Sequence, residues 1–119
     1  MKFLSVYTRD EKSPGPMNGA QMAEMGKLIE ETTKAGTLVL TGGILPISKG
    51  GARVRASAGT ISVDGPFTEA KEIVGGFAIM EAKSKDEAME MVAKFLKIAG
   101  DGECELHQLM EPGDGRPGQ

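Results

Sequence analysis

The side chains best suited to chemistry in this sequence are gathered in residues 59–77. Asp64 ends a run in which Ile61 and Val63 alternate with Thr60 and Ser62, and Gly65-Pro66-Phe67 follows at once. Such alternation is the period of a half-buried strand, and Asp-Gly-Pro stops it. A carboxylate at a strand end ahead of a sharp turn can stand at the rim of a cleft and act as a general base. For that role it needs burial, or a second carboxylate such as Glu72, to raise its affinity for a proton, while a nearby Lys71 pulls the other way. The same Asp suits an Asx-turn, its oxygen accepting from backbone N–H groups and fixing the bend.

Lys71 and Glu72 offer a cation for an anionic ligand and a proton-transfer group, although a charged pair ahead of a strand also makes solvated surface. Pro66 and Phe67 complete the turn and count among the ligand-binding candidates. Gly75-Gly76, inside an apolar strand, leaves room for a ligand or a second backbone to come close, and a bulge is the structural alternative. The planar fork of Arg55 suits a carboxylate. Tyr7 and His107, on the first and last predicted strands, are expected on the open face of the sheet, with a satisfied or interfacial His107 the simpler reading.

Composition narrows the field. The 119 residues carry a formal net charge of -3, which disfavours nucleic-acid and anionic-membrane surfaces, so neither partner is expected. Lys49, Arg53 and Arg55 form the one local basic cluster, without interleaved aromatics. Cys104 and His107 are the single Cys and the single His, too few for a structural zinc site, and no metal or other cofactor is expected. Gly42-Gly43 lacks the Gly-Lys-Ser/Thr of a phosphate loop. The first ten residues reach Arg9 and Asp10 before a signal-peptide core could form, and the uncharged stretch from Ala35 to Ser48 is too short to span a bilayer. The expectation is a cytoplasmic protein whose lone thiol is reduced.

These candidates must be positioned by regular elements. Phe3, Ser5 and Tyr7 alternate with Leu4 and Val6 in a first strand, and residues 9–17 read as a loop. Asn18 and Gln21 form a capping box for a helix whose apolar residues Met22, Met25, Leu28, Ile29 and Thr32 recur up to Gly36, a natural C′ residue. Leu38–Thr41 is a short strand that Ile44-Leu45-Pro46 extends past a glycine kink. Residues 53–56 and 60–63 make a hairpin. Ile73–Met80 is apolar on both faces, as in a central strand. Ser84 and Glu87 cap a second helix with an Ala88, Met91, Val92, Phe95, Ala99 stripe, and Glu103–Leu109 is the last strand. Residues 1–110 form one domain, and 111–119 read as a disordered tail.

The order, β-α-β, hairpin, β-α-β, predicts an α+β chain: a ferredoxin-like antiparallel sheet with two helices on one face and an inserted hairpin. Two helices cover one face, so the other is expected to pair with a second copy in a homodimer.

Asp64-Gly65-Pro66-Phe67, with Thr68-Glu69-Ala70-Lys71-Glu72 and Gly75-Gly76-Phe77, resembles the signature of the DGPF-domain branch of the YCII-related family. The first strand, Ala35-Gly36, Gly43–Leu45, Asp86-Glu87-Ala88 and Gly102–Leu106 agree with it. The resemblance implies a dimeric α/β barrel with a pocket between the sheet and its partner, in a family whose members mostly lack an assigned activity. Some relatives resemble dehydrochlorinases or muconolactone-isomerase-like enzymes, and others are associated with extracytoplasmic-function sigma factors. A His and Asp acid–base pair is suspected in the broader family, but no His occurs here between Asn18 and Gly36. Two readings therefore stand: an enzyme performing cofactor-independent elimination or isomerisation on a small organic compound with Asp64 as base, and a non-catalytic ligand-binding or regulatory module with a structural Asp-Gly-Pro-Phe turn.

Overall fold

The computed structural model describes residues 1–9, 18–65 and 74–112. The elements run β1 (Lys2–Arg9), α1 (Gly19–Lys34), β2 (Leu38–Gly43), β3 (Arg53–Ser57), β4 (Thr60–Asp64), β5 (Val74–Glu81), α2 (Lys85–Ala99) and β6 (Gly102–Gln108). Four strands join in one antiparallel sheet, in the order β2-β5-β1-β6, and β3 and β4 pair separately. With the hairpin set aside, a β-α-β-β-α-β chain whose first and third strands lie inside is the ferredoxin-like arrangement, and the fold is α+β.

Register decides which side chains share a face. Phe3 lies opposite Met80 and Gln108, Ser5 opposite Ala78 and Leu106, and Tyr7 opposite Gly76 and Cys104. Successive residues of a strand point to opposite sides, so Phe3, Ser5, Tyr7, Ala78, Met80, Cys104 and Leu106 make one face. Leu4, Val6, Phe77, Ile79, Glu105 and His107 make the other. Phe3, Met80, Ala82 and Ala88 form the buried core, with Leu38, Met91, Val92 and Leu106 packed on it. The helices therefore cover the Phe3 face, and among the described residues no helix covers the Leu4 face.

Both helices start where their caps dictate. Asn18 Oδ1 accepts the Gln21 N–H at 2.8 Å and Gln21 Oε1 accepts the Asn18 N–H at 3.0 Å, so two otherwise orphaned donors are satisfied. Ser84 Oγ accepts the Glu87 N–H at 3.1 Å. Asp86 and Glu87 occupy the first turn of α2 and Lys97 its last, the arrangement that the helix dipole favours. Each helix buries one residue, Met25 of α1 and Ala88 of α2, and α1 leaves Met22 61% and Ile29 37% exposed. Gln21 Nε2 donates to the Ile98 carbonyl at 3.1 Å, joining the start of α1 to the end of α2.

One expectation on β2 needs correction. β2 ends at Gly43. The Ile44 N–H reaches the Gly75 carbonyl at only 3.4 Å, and Pro46, lacking an N–H, cannot continue a ladder. The expected hairpin forms, with Val54 opposite Val63 and Ala56 opposite Ile61, around Ala58 and Gly59, whose φ values of 48° and 81° are those of a type I′ turn. It stands as a sheet of its own, with Val54, Ile61 and Val63 all more than 60% exposed. The expected tail falls outside the described residues from Gly113 onward, as do the turn from Pro66 to Ile73 and the loop from Asp10 to Met17. Among the described residues no helix is long and apolar enough to cross a membrane.

Candidate functional site

A cavity of about 890 Å³ remains between the helices and the Phe3 face. Its floor is Ser5 and Tyr7 of β1, Gly75, Gly76, Ala78 and Met80 of β5, and Thr41 and Gly42 of β2. Its roof is one stripe from each helix: Met25, Leu28, Ile29 and Thr32 of α1, and Met91, Val92 and Phe95 of α2. Spacings of three and four put such residues on one helical face. Among the described residues, Glu31, Glu87, Glu90 and Lys94 supply its charged side chains. Glu87 is half-buried, while Glu31, Glu90 and Lys94 are exposed and so stand at the mouth.

Tyr7 is set in the floor by glycines. A Cβ at Gly75 would meet Tyr7 Cδ2 at 2.4 Å, and one at Gly102 would meet Tyr7 Cε1 at 2.7 Å, so the ring occupies space that only glycine leaves on either neighbouring strand. Gly75 is also the extra residue of a bulge, since Tyr7 pairs with Gly76 and Thr8 with Val74. A Cβ at Gly76 would meet the Gly42 carbonyl oxygen at 2.8 Å. The Phe95 ring stands edge-on to Tyr7, with centroids 5.1 Å apart, and the phenol donates to the Asp101 carbonyl at 3.3 Å. Burial raises the Tyr7 phenol above its ordinary 10.0, with Arg9 pulling the other way. Burial likewise raises the neighbouring Cys104 thiol, against a hydrogen bond from Ser5. Both groups thus stay protonated and uncharged in neutral solution, which suits an apolar site.

The cavity brings together three of the residues expected from sequence: Tyr7, Gly75 and Gly76. Tyr7 lies on the helix-covered face, contrary to the expected open face, because it shares the parity of Phe3 and Ser5. His107 is on the open face, its Nε2 3.1 Å from Glu105 Oε1. Asp64 and Arg55 sit together on the hairpin, Arg55 Nε donating to Asp64 Oδ2, and neither lines the cavity. Pro66, Phe67, Lys71 and Glu72 lie outside the described residues. Glu87, Glu90, Lys94 and Thr32 were not expected at a site. Positions 87, 91 and 95 share a helical stripe, but a stripe does not reveal that a cavity lies between it and the facing helix. Among the described residues no three His, Cys, Asp or Glu groups cluster as metal ligands.

An α+β sandwich with a cavity between helices and sheet defines a class of fold and site. Within it, the family model for the YCII-related domain matches residues 1–105, and the chain belongs to that family. Among curated proteins none matches. A similar solved structure is a 5-chloro-2-hydroxyhydroquinone dehydrochlorinase from Burkholderia phenoliruptrix AC1100, in complex with 2,5-dihydroxybenzoquinone. It is 19% identical over 92% of this chain and 94% of that chain, with a TM-score of 0.49.

Proposed function

We propose that this chain is a cytoplasmic member of the DGPF branch of its family, and that it binds a small organic compound between its helices and its sheet. There it performs cofactor-independent acid–base chemistry, an elimination or isomerisation. The observation that carries this reading is the cavity itself: about 890 Å³, walled mainly by apolar side chains and closed below by a Tyr ring that two glycines accommodate. Cavities of this size and lining are the usual form of small-molecule sites. The half-buried Glu87 carboxylate is the best-placed base within the lining, able to take a proton from carbon while a leaving group or a shifted double bond receives the electrons. Asp64, the base expected from the motif, is engaged by Arg55 outside the lining. That engagement leaves Asp64 outside the proposed chemistry.

The same proposal makes the protein a homodimer. Leu4, Val6, Phe77 and Ile79 form the apolar centre of the face that the helices leave open, and Leu40 beside them is 54% exposed. A second copy provides like cover for like surface.

A compound screen by thermal shift on the wild type and on Leu28→Trp tests the site, because the indole fills the cavity from α1. Hits that raise the wild-type midpoint and not that of Leu28→Trp support it. Hits that stabilise both proteins equally refute it. For any substrate so found, Glu87→Gln is expected to lower turnover at least 100-fold, and Asp64→Asn less than 5-fold.

A further inference from the structure

The cavity has a hydrogen-bonding character that its apolar walls conceal. Its hydroxyl groups already give their protons to the protein. Thr32 donates to the Leu28 carbonyl at 2.7 Å, Thr37 to the Thr32 carbonyl at 3.1 Å, Thr41 to the Phe77 carbonyl at 2.9 Å and Tyr7 to the Asp101 carbonyl at 3.3 Å. Ser5 is hydrogen-bonded to the Cys104 thiol. A hydroxyl that has donated retains only lone pairs to offer. Among the described residues of the lining, the charged side chains are Glu31, Glu87 and Glu90, which are acceptors, and Lys94, a donor, a formal balance of one positive against three negative charges, or −2. Acceptors and negative charge therefore dominate the polar side chains that the described lining offers a ligand.

We propose that the cavity selects apolar, ring-containing compounds whose polar group is a hydrogen-bond donor or a cation, such as an amine or a phenol, and that it discriminates against carboxylates. This inference rests on the cavity being the ligand site and adds to it the chemical class of the ligand. It departs from the expectation that Arg55 or Lys71 recognises a carboxylate: Arg55 is on the hairpin, paired with Asp64, and does not line the cavity. A carboxylate brought into the cavity loses water and finds, among the described residues, one ammonium, at an exposed position, to replace it. A cation finds three carboxylates, of which Glu87 is partly shielded from solvent. Because most of these charges are exposed, screening keeps the preference moderate and makes it dependent on salt.

Three probes of one skeleton measure it: 1-naphthalenemethylamine, 1-naphthalenemethanol and 1-naphthoate, titrated calorimetrically into the full chain at low and at high salt. The amine is expected to bind at least 10-fold more tightly than the naphthoate at low salt, with the alcohol between them. High salt should narrow the gap. Glu87→Gln with Glu90→Gln should reduce the amine-to-naphthoate ratio at least 5-fold, and Glu90→Gln alone, at an exposed position, should move it in the same direction. If the naphthoate binds as tightly as the amine or more so, and Leu28→Trp abolishes its binding, the proposed ligand class is wrong while the cavity stands. If Leu28→Trp leaves the binding of every probe unchanged, or no probe binds the wild type, the cavity reading fails and takes this inference with it.

Discussion

At the scale of single residues, the structure turns on how Tyr7 is seated. Its ring touches the places where Gly75 and Gly102 would carry side chains, so Gly75→Ala drives a methyl group into that ring. Overpacking of this kind costs about 1–3 kcal/mol, and a fall in the urea midpoint with an unchanged slope is the expected result. The phenol and the Cys104 thiol set the alkaline limit of stability. Both are neutral when protonated, and burial raises both above their ordinary values of 10.0 and 9.0. A raised folded value means that the contribution is complete below the unfolded value and is lost as pH climbs through the folded one. Stability should therefore hold up to about pH 9 and fall above it. Tyr7→Phe, with no phenol to ionise, should fall less steeply in a pH series of thermal melts.

At the scale of elements, caps and stripes decide where helices begin, while the gap between layers decides where a ligand can go. Asn18→Ala removes the outer half of a capping box whose two bonds are 2.8 and 3.0 Å long. The expected loss is about 1 kcal/mol. In a domain of this size that lowers Tm by roughly 4 °C. Since α1 buries only Met25, its amides should exchange with deuterium faster than those of β1, which buries Phe3, Ser5 and Tyr7. Equal protection of the two would mean that α1 lies closer to the sheet than it does here. This is also the scale at which the sequence was most legible. The alternation of Phe3, Ser5 and Tyr7, the Asn18 and Gln21 box and the Val54–Val63 hairpin are local patterns, read from neighbours a few residues apart. The cavity was not legible, because it depends on how far α1 stands from β1 and β5, a distance between segments that no local pattern encodes. Gly75-Gly76 did signal a close approach. What approaches Gly75 is the Tyr7 ring, and Tyr7 could be assigned to the correct face only once the packing of α2 Ala88 with Phe3 and Met80 showed where the helices lie.

At the scale of the whole molecule, the sheet has two unlike sides: one with helices and a cavity, the other with Leu4, Val6, Phe77 and Ile79 around an acidic margin that includes Glu81 and Glu105. The proposed dimer buries the second side. Light scattering should give twice the 12.5 kDa chain mass for the wild type. Val6→Asp should give the chain mass itself, because a carboxylate then has to be buried at the centre of the contact. A wild-type protein that stays monomeric at high concentration would remove the dimer and leave the helix-side cavity untouched, since its lining comes from a single chain. The most direct measurement of the central claim is a methyl spectrum of the labelled protein titrated with 1-naphthalenemethanol. The account predicts saturable shifts at Met25, Met80 and Met91, which face the cavity, with Leu4, Val6 and Ile79 left in place. Shifts confined to Leu4, Val6 and Ile79, or none anywhere at millimolar ligand, would contradict it.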